Sequence, residues 1–271
     1  MIAPDNPAAI PPLLCSADPP AFELFNAEGR APILFVCDHA GRAIPAALAR
    51  LGLDEAALAR HIAWDIGIAD LTRGLAERFD APVVLSNYCR LVIDCNRRLE
   101  HPTSIPPVSD RVTVPANQEL TPAQRQARID ACFWPYHNEI ERVLARFERR
   151  KVVPVFISMH SFTPIFQGFE RPWHIGILWN RDARISVPLI AALREEPELI
   201  VGDNEPYTGR NNRHGYSIPF HAENRGLAHT LLEVRQDLID TRHGVAEWVD
   251  RLERAFRKVL DNPGLYRVER F

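Results

Sequence analysis

No apolar run in the sequence approaches the ~20 residues that a membrane-crossing helix needs, so a helical membrane protein is excluded. There is no G-x-x-x-x-G-K-[ST] or G-x-G-x-x-G stretch, which removes the commonest nucleotide-dependent readings. A G-x-S-x-G nucleophile elbow is also missing. Ser161 directly follows His160, and chain neighbours rarely face each other as a nucleophile and its base. Charge is close to balanced, at −3 overall, so no long basic surface for nucleic acid is expected. The five cysteines, Cys15, Cys37, Cys89, Cys95 and Cys132, fit neither a zinc knuckle nor a disulfide framework. The first 20 residues carry Asp5 and six prolines but no basic segment followed by an apolar run, so no signal peptide is read there. A soluble, cytoplasmic and reduced setting is the expectation.

What is present is ordinary globular material. A chain of 271 residues, 46% hydrophobic and 25% charged, can bury a sizeable core. Residues 1–20, rich in Pro and Ala, read as an extended arm, and 21–271 as one domain. Strands are expected over 33–37, 82–86, 152–159, 173–179, 199–201 and 228–234. Helices are expected over 45–51, 54–63, 69–79, 121–150, 185–194 and 244–260. The helix at 121 has the firmest start: Thr121 at the cap, Pro122 at the first position and Gln124 three residues on. Residues 100–120 read as a proline-rich loop, and 204–225 as a loop or hairpin. The alternation predicts an α/β fold with a mostly parallel, mixed sheet and helices on both faces.

Ligands of such sheets bind beyond the carboxyl ends of the strands. Four apolar segments end there in reactive residues: Asp38-His39, Asp94 to Arg97, His160-Ser161, and Glu233 to Asp237. Two histidines, His39 and His160, invite a zinc ion or another divalent metal, which needs a third protein ligand. Asp65 is the first choice and His61 the second, although Asp65 could instead cap the following helix. Glu233 lies inside an apolar strand, where an unpaired carboxylate is costly. It is the candidate general base, with an ion pair to Arg235 as the competing role. Arg90, Asp94, Asn96 and Arg97 suit a grip on a substrate carboxylate, or a structural salt-bridge network. His221 and Arg235 complete the candidate substrate contacts, while His137 and His229 read as structural.

These pieces resemble the N-formylglutamate amidohydrolase family. The resemblance runs through Cys37-Asp38-His39-Ala40-Gly41 with Ile44-Pro45, Asp65-Ile66-Gly67, Arg90 to Arg97, His160-Ser161-Phe162, and Leu232-Glu233-Val234-Arg235. It implies a zinc-dependent enzyme of bacterial histidine degradation that cleaves the formyl amide of N-formyl-glutamate. It also implies a fold like that of zinc carboxypeptidases and aspartoacylases, with a mixed eight-stranded sheet. By the same resemblance His39 and His160 bind zinc, Asp94 to Arg97 hold a substrate carboxylate, and Glu233 is the base. The carboxypeptidase relatives take a carboxylate ligand from a His-x-x-Glu pair, whereas Arg42 stands at that spacing here. The chain must then draw its acidic ligand from elsewhere, with Asp65 the best replacement. The competing readings are a metallopeptidase or deacylase for a larger N-acyl amino acid or peptide, and a non-catalytic carboxylate-binding protein. The sequence leaves the oligomeric state open.

Overall fold

The computed structural model describes residues 12–210 and 215–271. The first eleven residues of the expected N-terminal arm, and residues 211–214 of the expected 204–225 loop, lie outside them. Seven strands form the main sheet: β1 (Phe22–Phe25), β2 (Ile33–Cys37), β3 (Val83–Ser86), β4 (Val155–Phe162), β5 (Ile175–Leu178), β6 (Val201–Asp203) and β7 (His229–Arg235). Their order is β1-β3-β2-β4-β7-β5-β6. The four central strands, β3, β2, β4 and β7, run parallel. β1 and β5 join them antiparallel, and β6 runs parallel to β5. The described residues thus give seven strands in this sheet where the resemblance implied eight. Two short hairpins, at 108–113 and 165–170, stand apart from it.

The centre of the sheet is apolar on both faces because helices cover both. On one face, α1 (Ile68–Phe79), α4 (Ser186–Leu193) and α5 (Arg242–Leu260) pack on Phe35, Ile157, Met159, Leu232 and Val234. In α5, Trp248, Leu252, Ala255, Phe256 and Val259 recur at helical spacing and form the buried stripe. On the other face, α3 (Trp134–Arg149) packs Tyr136, Ile140, Val143, Leu144 and Phe147 on Leu34, Val36, Val84 and Phe156. The short α2 (Pro122–Arg128) leads into α3 through one wide turn at Ile129–Phe133. Its start is the expected capping box of Thr121 and Gln124. No helix among the described residues is long and apolar enough to cross a membrane.

Register explains where the reactive groups go. Side chains alternate between the faces of a strand. On the α3 side, β2 presents Leu34 and Val36 and the chain then reaches Asp38. β4 presents Phe156, Ser158 and His160, and β7 presents His229, Leu231 and Glu233. Glu233 is the direct cross-strand partner of His160, and Val36 is the partner of Ser158. This face is therefore oily along β2 and at the start of β4, and polar toward the carboxyl ends of β4 and β7.

Several elements depart from expectation. β4 runs on to Phe162, so His160 and Ser161 lie within the strand, not past it. β1 was not foreseen. The helix expected over 45–51 is a set of tight turns, with Ala49, Arg50 and Leu51 at positive φ. Of the helix expected over 54–63, only Glu55–Leu58 forms. Beyond it the backbone is committed elsewhere: Asp65 N–H donates to His39 O, and Arg90 N–H to Ala63 O.

Candidate active site

Three buried side chains meet at the carboxyl edge of the central strands: His39, Asp65 and His160. One ligand atom from each lies within 4.8 Å of the others. The rings are aimed by carboxylates behind them. His39 Nε2 is 2.7 Å from Asp94 Oδ1, and His160 Nε2 is 3.2 Å from Asp38 Oδ2. A carboxylate can only accept, so both rings carry their hydrogen on Nε2 and turn Nδ1 inward. Both Nδ1 atoms face the same oxygen, Asp65 Oδ2, at 3.4 Å for His39 and 2.9 Å for His160.

Two imidazole lone pairs and a carboxylate oxygen repel one another unless a cation lies among them. Left to itself, the site recruits a proton. Burial disfavours charge on His160, yet hydrogen bonds from its ring to Asp38 and Asp65 raise it to about 10. Burial likewise pushes the Asp65 carboxyl up, but the charge of His39 beside it and the hydrogen bond from His160 hold it far below the usual carboxylate range. Asp38 shows the same balance and settles at about 2, with Ser217 Oγ and the Tyr136 hydroxyl also donating to it. His39 Nδ1 has no hydrogen-bond partner among the described residues although it is buried. Two imidazoles and a carboxylate are a donor set that could hold a metal ion, with the ion taking the place of the proton on His160.

Around this group lies a cavity of about 230 Å³, lined also by Arg90, Asn96, Arg97, Ser161, Leu178, Tyr207, Thr208, Leu231 and Glu233. Glu233 is buried, and its Oε2 has no hydrogen-bond partner among the described residues. Burial is the largest influence on its carboxyl and raises it to about 7, outweighing the attraction of His160. A carboxylate poised there can take and return a proton near neutral pH.

The sequence-predicted residues divide into two groups. His39, Asp65, His160 and Glu233 come together, and so do Asn96 and Arg97. Arg90 is at the cavity but committed: its guanidinium donates to Asp65 at 3.3 Å and to Asp94 at 2.8 Å. Asp94 stands behind His39 as a support. Asp65 does not cap α1, whose N-cap is Gly67. His61, the alternative ligand, lies outside the cluster, 3.6 Å from Asp110. Arg235 does not pair with Glu233. It reaches Asp237 and the carbonyls of Arg171, Pro172 and Trp173, because β7 ends there and its side chain folds over the strand end. His221 does not line the cavity. It is fully buried, with Glu141 at Nδ1 and His137 at Nε2. Asp38, Tyr207 and Thr208 were not among the expected site residues. Only Asp38 had a signal, its place beside His39 at the end of β2.

The family model of N-formylglutamate amidohydrolase matches residues 31–240, which contain every residue of this cluster. The chain belongs to the N-formylglutamate amidohydrolase family. Among solved structures, a gene product of Agrobacterium tumefaciens is similar over 92% of this chain and 98% of its own, at 33% identity and a TM-score of 0.87. An N-formylglutamate amidohydrolase from Ralstonia eutropha JMP134 is similar over 89% of this chain and 98% of its own, at 18% identity and a TM-score of 0.60, a likeness of fold. A comparison with curated proteins found no match. Membership of the N-formylglutamate amidohydrolase family supports amide-hydrolysing activity for this chain.

Proposed function

We propose that this protein is a metal-dependent amidohydrolase that cleaves the formyl amide of N-formyl-L-glutamate, or of a close N-acyl amino acid, to a carboxylic acid and the free amino acid. One observation carries the reading: two Nδ1 atoms and Asp65 Oδ2 converge at the carboxyl edge of the central strands, beside a buried glutamate whose carboxyl is raised to about 7. His39, Asp65 and His160 would hold the ion, and the mixture of imidazole and carboxylate suits zinc. When bound, such an ion polarises the amide carbonyl and makes water acidic enough to lose a proton near neutral pH.

The chain's own residues supply the rest. Glu233 takes the proton of the attacking water on its unpartnered Oε2 and returns it to the leaving nitrogen. Arg97 and Asn96 hold the substrate carboxylate, and Arg97 is available for this because, among the described residues, its guanidinium donates only to the Asn96 carbonyl. Asp94 and Asp38 keep both imidazoles in the tautomer that turns Nδ1 to the cavity. Arg90 fixes Asp65 and Asp94 to each other. The test is direct. The purified protein should contain about one equivalent of metal and release formate from N-formyl-L-glutamate. His39→Ala and His160→Ala should lose both properties. Full metal content in either variant would sink the ligand assignment. Faster turnover of larger N-acyl amino acids would move the substrate to the deacylase class.

A further inference from the structure

Arg171 follows the 165–170 hairpin and is only 6% exposed, yet no carboxylate pairs with it among the described residues. Its neighbours are aromatic. The guanidinium carbon lies 5.6 Å from the ring centroid of Phe162 and 4.8 Å from those of Phe166 and Tyr207. Those rings offset part of the cost of a buried cation. One of its nitrogens donates to Thr163 O at 3.3 Å and to the Tyr207 hydroxyl oxygen at 3.0 Å.

That last contact has a direction. Arginine has no lone pair to offer, so the phenolic oxygen accepts and its hydrogen is left over. No described residue receives that hydrogen. Burial and the nearby Glu233 carboxylate push the Tyr207 phenol up, which keeps the hydrogen in place at neutral pH. Tyr207 lines the same cavity as Asn96 and Arg97. Among the described residues, the cavity wall therefore offers two cation-backed donors whose guanidinium pairs with no carboxylate, Arg97 and the Arg171–Tyr207 pair. Arg90, already paired with two carboxylates, is not a third.

We propose that Tyr207, backed by Arg171, is a second anion-binding subsite that selects substrates carrying a side-chain carboxylate besides the one held at Asn96 and Arg97. The proposal rests on the cavity being the substrate site, but it does not depend on the reaction performed there. Tyr207 recognises the anion by donating one hydrogen bond, and the positive charge behind it makes that bond a strong one. Arg171 acts through Tyr207 and is a positioning residue.

The test separates binding from turnover. In zinc-supplemented Glu233→Gln protein, calorimetry compares N-formyl-L-glutamate with N-formyl-L-glutamine, which has nearly the same shape and no side-chain charge. The glutamate ligand should bind about tenfold more tightly or better, the range expected for a hydrogen bond to a charged group. Adding Tyr207→Phe keeps the ring and removes the donor, and it should erase most of that preference. Arg171→Lys should reduce it partly. In otherwise native protein Tyr207→Phe should raise KM for the glutamate substrate far more than it lowers kcat. Equal affinity for the two ligands, or equal weakening of both by Tyr207→Phe, would overturn the proposal. Formate release without the binding preference would sink this subsite alone. The preference without formate release would sink the reaction and leave the subsite standing.

Discussion

At the scale of single residues, the proposed metal ligands are oriented by the groups behind them. Asp94 accepts from His39 Nε2 and from the Asn96 backbone N–H, and takes one end of Arg90. Burial opposes its charge, but Arg90 and His39 hold its carboxyl well below the ordinary value. It is therefore a permanent anion that fixes the orientation and tautomer of His39. Asp94→Asn keeps the shape and one acceptor but discards the charge. Metal affinity should fall about 10- to 100-fold, read by competition with a chromogenic chelator. Unchanged affinity would reduce Asp94 to a support for its own turn. Such roles differ in how legible they are in sequence. His39, His160 and Glu233 stand out because each interrupts or ends an apolar run. The Arg171–Tyr207 contact joins residues 36 positions apart through an exposed loop, and nothing in local pattern marks it. His221 was read as a substrate contact because its segment is polar, but a polar segment does not say which way an imidazole points.

At the scale of elements, the turn from Asp94 to Arg97 is held against α3 by a chain of imidazoles. His137 Nε2 donates to the Cys95 carbonyl at 2.9 Å, so its Nδ1 accepts from His221 Nε2, also at 2.9 Å. His221 Nδ1 in turn lies 2.6 Å from Glu141 Oε1. Burial, followed by the neighbouring His221, lowers His137 from its ordinary 6.5 to about 3. The sign follows from proton counting. Between pH 6.5 and 3 the unfolded chain binds a proton that the folded chain refuses, so stability present above 6.5 is lost as pH falls. The loss is about 1.4 kcal/mol for each pH unit through that window. His137→Gln retains a donor for Cys95 and an acceptor for His221. Its urea midpoint should drop at pH 8 but decline less steeply than wild type between pH 6.5 and 4.5. Parallel slopes would show that His137 contributes no such dependence. The elements themselves were legible where hydrophobic periodicity was long, as in α1, α3 and α5. They were illegible at β1 and over 45–65, where four-residue stretches take their shape from contacts distant in the chain.

At the scale of the whole molecule, the four central parallel strands were readable from their order and their apolar runs. Convergence of their ends then followed from topology. Pattern alone did not decide whether Asp65 or His61 completes the cluster, since both lie in an irregular segment placed only by folding. That origin has an energetic consequence. His39 follows β2, Asp65 lies in the crossover before α1, and His160 is in β4, so an ion gripped by all three ties together segments up to 121 residues apart in the sequence. Such a site exists only in the folded chain, and binding free energy adds to folding free energy. Without the ion, three buried aspartates and Glu233 share Arg90 and a proton on His160 as their nearest compensating charges. Zinc returned to chelator-treated protein at 1,000 times its Kd should stabilise it by about 4 kcal/mol, raising Tm by roughly 8 °C in a chain of this size. Magnesium, which prefers oxygen ligands, should give little shift. His39→Ala and Asp65→Asn should abolish the zinc response while leaving the apo protein folded. If the wild-type melting curve ignores zinc, these residues hold only a proton, and the metal-dependent reaction loses its foundation.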